Sequence, residues 1–214
     1  FTRRLGIKVQ LFTNARLITP EIAELFSRVP PLNTIEVSVY GMHPETYDTV
    51  ACAAGAFAEF WRGIKLLQDH QIPFRVTFVQ LPPNRADLEE FESWTSMNLG
   101  IDAVSNAELY LDLRTRRDSP AKNRLINSLR ISPQESQVLL ERNQMANPGE
   151  MAQFCARFIG PRGNHLFTCG AGTTGCVDAY GTYQMCMLLR HPDTVYHLLR
   201  GTLRDALMGF FPPL

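Results

Sequence analysis

Two periods of hydrophobic and polar positions alternate along the first half of the chain. Ile7–Phe12 (IKVQLF), Thr34–Tyr40 (TIEVSVY) and Phe74–Leu81 (FRVTFVQL) place β-forming residues at every second position, the pattern of strands with one covered face. Between them the period lengthens. Thr19-Pro20 is an N-cap with proline at the first helical position, ahead of the stripe Ile22, Leu25 and Phe26. A long helical region ending near His70 carries Phe57, Phe60, Trp61, Ile64 and Leu67 at spacings of three and four. Asn84 is placed to cap the next helix, with Leu88, Phe91 and Trp94 as its buried face, and Ala107–Leu113 reads as a weaker fourth strand. Strands alternating with helices of this length predict an α/β fold with a parallel sheet and crossover helices. The pattern does not choose between an open doubly wound sheet and part of a barrel.

The second half is more broken. Arg114–Leu129 is charged, contains a proline and reads as a loop; Ser132-Pro133-Gln134-Glu135 forms a capping box that starts a helix. After Asn147-Pro148-Gly149, a short helix puts Cys155 on one stripe with Met151 and Phe158, a core position. Val177 and Tyr183 flank Asp178-Ala179-Tyr180-Gly181, a tight hairpin turn in which Gly181 supplies the positive φ. Thr202 and Asp205 cap a closing helix.

Composition narrows the classes. Lys+Arg and Asp+Glu both number 21, so no net positive charge is available for nucleic-acid binding. No apolar run approaches the roughly 18 residues of a membrane span. Five cysteines at wide spacings do not match a secreted disulfide framework, which favours a reducing, cytoplasmic setting. The chain opens on Phe1 rather than Met and shows no signal peptide, so the reading expects a fragment.

Parallel α/β folds bind ligands at the strand C-termini and the loops after them. Thr13-Asn14 and Ser38-Val39-Tyr40-Gly41 occupy such positions. Their polar groups suit either a nucleoside-like ligand or the local work of fixing a turn and a strand end. The hairpin would bring Cys169 and Cys186 together across sixteen intervening residues. Two readings stand for these thiols: buried free cysteines, or metal ligands.

The run CGAGTTGCVDAYGTYQMC, with Cys169, Gly181 and Cys186 in the spacing C-x11-G-x4-C, resembles the opening of the SPASM extension of radical S-adenosylmethionine enzymes. LFTNARLITPEIAELF, IEVSVYGMHPETYD and GAFAEFWRGIKLLQDHQIPFRV resemble the third to fifth strand–helix units of the radical SAM partial barrel. The resemblance implies a partial barrel over 1–115, a helical linker over 116–166 and the start of a SPASM-like domain over 167–214. It implies S-adenosylmethionine (AdoMet) contacts from Thr13, Asn14 and Ser38. Cys169 and Cys186 become ligands of an auxiliary [4Fe-4S] cluster, with Cys176 as an additional candidate. The implied parent is an iron–sulfur oxidoreductase or maturase that uses a 5′-deoxyadenosyl radical on a peptide or protein and needs a reductant for its clusters.

This sequence departs from the family pattern at several points, and its 214 residues contain neither the later cysteines that complete the SPASM cluster nor the family's Gly-Gly-Glu-like segment. Ala15 replaces the glycine of the family's TNG-like turn, and Cys52, expected to be a buried small residue, stands where relatives often have glycine. Met187 stands where sulfatase maturases, a SPASM subgroup, have an aspartate base, and a thioether cannot take that proton. Most consequentially, the 214 residues contain no C-x-x-x-C-x-x-C motif. The chain by itself is therefore expected to be inactive, and no residue is assigned as catalytic. Two other readings follow: a non-catalytic scaffold or partner-binding protein on the same fold, or a small zinc protein using Cys169, Cys176, Cys186 and His191.

Overall fold

The computed structural model describes residues 2–31, 34–100, 104–107, 119–146, 149, 152–153, 156, 174–186 and 191–212. The chain divides into two compact units, Phe1–Ala146 and Asn147–Leu214.

The first unit is an α/β layer built on a four-stranded parallel sheet of order β1-β2-β3-β4: Leu11–Thr13, Ile35–Val39, Phe74–Gln80 and Val104–Ala107. Helices α1 (Pro20–Arg28), α2 (Pro44–Ala51), α3 (Ala56–Asp69) and α4 (Leu88–Trp94) form the crossovers. Ile35, Val37 and Val39 of β2 and Val76 and Phe78 of β3 are buried, in one core with Phe60, Ile64 and Leu67 of α3 and Phe91 of α4. Each fully buried aromatic or branched side chain contributes about 1.5–3 kcal/mol of transfer free energy. The expected helical stripes are observed, with Phe57, Trp61 and Trp94 partly buried against that core. α1 differs: Ala23 is buried while Leu25 remains 48% exposed.

Several boundaries differ from the sequence expectation. β1 begins at Leu11 rather than Ile7, because its parallel register opens at Leu11↔Ile35 and a 3-10 turn over Thr2–Leu5 precedes it. The long helical region is two helices, broken where Cys52 adopts a left-handed conformation (φ 50°) and Gly55 another (φ 80°). Cys52 is exposed, not buried: it ends α2 in the conformation that favours glycine. β4 starts at Val104, earlier than Ala107, in register with Thr77. Part of the expected loop is helix α5 (Pro120–Ser128), started by Ser119 accepting from the Lys122 amide. Helix α6 (Pro133–Ala146) opens on the expected box, Ser132 and Glu135 bonding each other's backbone amides.

The second unit contains a three-stranded antiparallel sheet: β5 (Cys176–Val177), β6 (Thr182–Gln184) and β7 (Val195–His197). The hairpin matches the expectation: Val177 pairs with Tyr183, the Gly181 amide donates to the Asp178 carbonyl, and Gly181 has φ 76°. Tyr183 packs with Ala206 and Phe211, while Val177, its partner across the hairpin, is 52% exposed and does not face the core. β7 goes beyond the sequence expectation; it pairs with β6 through Tyr183↔Tyr196. Thr202 and Asp205 form the expected capping box before a short closing helix. Cys155 and its stripe lie outside the described residues. No helix among the described residues is long and apolar enough to cross a membrane.

Candidate ligand-binding edge

All four strands run parallel, so their C-termini share one edge. Thr13 closes β1 and Ser38 is the penultimate residue of β2. The register pairs Thr13 with Val37, and Ser38 with Thr77. Side chains alternate along strands, so Thr13 belongs to the helix-covered face and Ser38 to the opposite, more polar face. That second face also carries Phe12, Glu36, Arg75 and Thr77, and the Thr77 hydroxyl donates to Glu36 Oε1 at 3.1 Å. Ser38 is half-buried, and its hydroxyl makes no hydrogen bond among the described residues.

The loop after β1 is committed to its own turn. Thr13 Oγ1 accepts from the Ala15 amide at 3.1 Å, and Asn14 Oδ1 from the Arg16 amide at 3.3 Å. These bonds support Ala15 in a left-handed conformation (φ 61°), the region that favours glycine. Ala15 is fully buried against Gly63 of α3, which has no room for a Cβ beside the Ala15 carbonyl. Arg16 pairs with Glu59 of α3 at 2.7 Å, and Arg62 donates to the Arg16 carbonyl.

Sequence reasoning placed Asn84 and Asp87 at a helix start and missed their burial and their bonds to the loop after Ser38. Asn84 is not the N-cap of α4; it lies in the 3-10 turn Pro82–Asp87 and reaches back to the amide that precedes that turn. Its Oδ1 accepts from the Leu81 amide, and its Nδ2 donates to the carbonyls of Tyr40 and Val79, joining the loops after β2 and β3. Asp87, 4% exposed, accepts from the Met42 amide at 2.7 Å and from the Thr46 hydroxyl. Tyr47, fully buried with its ring stacked on Phe60, has its phenol pushed well above the usual tyrosine range, first by burial and then by neighbouring Tyr40. The only sequence signal for Asn84 and Asp87 was polar residues interrupting an apolar stretch at a loop–helix junction.

No protein-family model matches the chain. Over 106 residues, 50% of the chain, it is 30% identical to the AdoMet-dependent heme synthase of Methanosarcina barkeri (strain Fusaro / DSM 804), covering 29% of that protein. Among solved structures it is similar to native anSMEcpe with bound AdoMet and Kp18Cys peptide. That match has a TM-score of 0.54 at 13% identity and covers 93% of this chain and 55% of the other. Histidine-tagged anSMEcpe with bound AdoMet gives 0.52 at 14% identity, covering 93% and 54%. The chain has a radical SAM/SPASM-type fold. It spans about half the length of these solved relatives and less than a third of the curated one.

Of the three cysteines in the hairpin region, Cys176 and Cys186 are among the described residues. Cys176 is half-buried and opposite Gln184, Cys186 follows Gln184 by two residues, and both are free thiols. Cys169 lies outside the described residues. His191 starts the 3-10 turn Pro192–Thr194, accepting from the Asp193 amide at 3.3 Å, and so serves a turn. Among the described residues no three His, Cys, Asp or Glu side chains cluster as a metal site.

Proposed function

We propose that this chain is the AdoMet-side part of a radical SAM iron–sulfur oxidoreductase or maturase that modifies a peptide or protein. The observation carrying this reading is the Ser38 hydroxyl, unpartnered among the described residues on the polar face at the strand C-termini of a radical SAM/SPASM-type fold. AdoMet fits this edge: Ser38 offers a donor and acceptor, and Gly41 keeps the following loop free of a side chain. Thr13 and Asn14 contribute through the turn they build, their side-chain oxygens already accepting backbone amides. When bound, AdoMet supplies a sulfonium and an adenosyl group; Ser38 orients its nucleoside part. The peptide substrate class is supported by anSMEcpe, whose structure holds AdoMet and a peptide together.

The radical-generating cluster does not fit the residues present, because the sequence has no three-cysteine motif to ligate it. No step is assigned through that cluster. In the hairpin unit, Cys169, Cys186 and Cys176 are the proposed ligands of an auxiliary cluster. The proposed division keeps the ligand edge in 1–115, connecting helices in 116–166 and thiol chemistry in 167–214. A second reading is a non-catalytic scaffold on the same fold that binds a partner; a C-x-x-x-C-x-x-C motif upstream in the same reading frame would count against it.

The two readings separate by experiment. The chain is incubated anaerobically with AdoMet and dithionite after iron and sulfide reconstitution, and 5′-deoxyadenosine is measured. The expected result is AdoMet binding without nucleoside release above a protein-free control. Repeated turnover, abolished by heat denaturation, would overturn the account of the missing motif. An absence of AdoMet binding would overturn the AdoMet reading and favour the scaffold.

A further inference from the structure

The segment Tyr40–Met42, which follows Ser38 and Val39, is pinned at both ends by buried polar side chains from the connection after β3. Asn84 Nδ2 holds the Tyr40 carbonyl at 2.8 Å. Asp87 holds the Met42 amide at 2.7 Å and the Thr46 hydroxyl. Gly41 lies between, where a Cβ would come within 2.8 Å of the Tyr47 nitrogen and 3.1 Å of Asp87 Oδ2. The carboxylate is an expensive choice for this place. It is 4% exposed, and no Lys, Arg or His among the described residues forms an ion pair with it. Burying a charge without a counter-ion carries a large desolvation penalty. Nor does it serve its own helix: Asp87 occupies the N-cap position of α4, yet its side chain caps no amide there. Both of its bonds instead reach across more than forty residues to the loop beside Ser38.

We infer that Asp87 is a positioning residue for the ligand edge, holding Tyr40–Met42 so that Ser38 and the adjoining backbone meet the nucleoside part of AdoMet. This rests on the proposed AdoMet reading. Asp87 touches no ligand in this scheme; it acts through Met42 and Thr46, with Asn84 closing the other end of the segment. An asparagine at position 87 can still accept both donors through its amide oxygen, whereas alanine can accept neither.

The test is calorimetric titration of the full 214-residue chain with AdoMet, alongside thermal denaturation of each variant. Ser38→Ala should weaken binding about fivefold, as for one lost neutral hydrogen bond. Asp87→Ala should weaken it by about tenfold or more, and Asp87→Asn should stay within about threefold of the parent. In the double variant Asp87→Ala/Ser38→Ala, removing Ser38 should cost nothing further, because a displaced loop no longer presents that hydroxyl. A purely structural carboxylate predicts otherwise: a lower melting temperature, unchanged affinity of the folded fraction, and Ser38 effects that multiply with those of Asp87. Either unchanged affinity in Asp87→Ala or full multiplication overturns the inference while leaving the AdoMet reading intact. Normal binding by Ser38→Ala, or none by the parent chain, overturns the AdoMet reading and the inference with it. Should Asp87→Ala fail to fold, Thr46→Val against Thr46→Ser gives the same comparison. The serine should bind as the parent does, and the valine should be weaker with the same loss of Ser38 dependence; equal binding by the two would reject the positioning role.

Discussion

Thr13 and Ser38 lie at the same edge of one parallel sheet and on its opposite faces. The register places Thr13 beside Val37, over the helices, and Ser38 beside Thr77, on the polar side. Their substitutions should therefore separate. Ser38→Ala should weaken AdoMet binding about fivefold at unchanged stability, the loss of one neutral hydrogen bond. Thr13→Val removes the bond to the Ala15 amide and should cost about 1 kcal/mol of stability while affinity stays within about twofold. Titration and denaturant melts of both variants check this. Equal effects on affinity would mean that both side chains meet the ligand.

Cys52 ends α2 with φ 50°, exposed to solvent, its sulfur donating to the Thr49 carbonyl at 3.6 Å. A side chain in this left-handed conformation costs about 1–2 kcal/mol relative to glycine. Cys52→Gly should thus raise stability by about 1 kcal/mol, offset in part by the greater freedom of glycine in the unfolded chain. Chemical denaturation in reducing buffer is the measurement. A loss of stability would show that the sulfur contributes packing not evident from its exposure.

Much of the first unit was legible because its signals are local and strong. The alternation in Thr34–Tyr40 and Phe74–Leu81 and the stripe from Phe57 to Leu67 each correspond to an observed element. What was not legible depends on partners distant in sequence. Ile7–Gln10 alternates like a strand but, among the described residues, pairs with no strand before Leu11 meets Ile35. Val177 is apolar yet exposed, because Tyr183 opposite it takes the contact with Phe211. At the ligand edge, Ser38 could be proposed from position alone, whereas Asp87 could not, since its bonds span 41 and 45 residues.

The hairpin turn provides a pH prediction. The Thr182 amide, followed by that of Tyr180, holds the Asp178 carboxyl below the ordinary carboxylate range. A lowered folded-state value means that the carboxylate supports the turn fully above the unfolded value, about 3.9. That support disappears as pH falls through the lower folded value. The amide signals of Tyr180 and Thr182 should titrate with a midpoint below about 3.9, one carboxylate's unperturbed value, and Asp178→Asn should abolish that titration. A midpoint at or above the ordinary value would contradict the hydrogen-bonded turn.

The thiols of the second unit should bind iron weakly and substoichiometrically, because a [4Fe-4S] cluster takes about four thiolate ligands and metal affinity depends on assembling them. Cys169→Ala and Cys186→Ala should each remove that binding, Cys176→Ala should reduce it, and Cys52→Ala should retain it. Anaerobic iron and acid-labile sulfide assays, with denaturation curves for each variant, provide the check. A stable stoichiometric cluster surviving both Cys169→Ala and Cys186→Ala would remove those residues from the ligand set. Stoichiometric zinc held by Cys169, Cys176, Cys186 and His191 would instead favour the zinc-protein reading.

The most direct test of the central claim is a backbone amide NMR titration of the chain with AdoMet. The account predicts chemical-shift changes in Ser38–Met42 after β2 and in the Thr13–Ala15 turn, with Thr182–Gln184 and Val195–His197 of the antiparallel sheet unmoved. Changes confined to that antiparallel sheet, or no changes at all at saturating AdoMet, would contradict it.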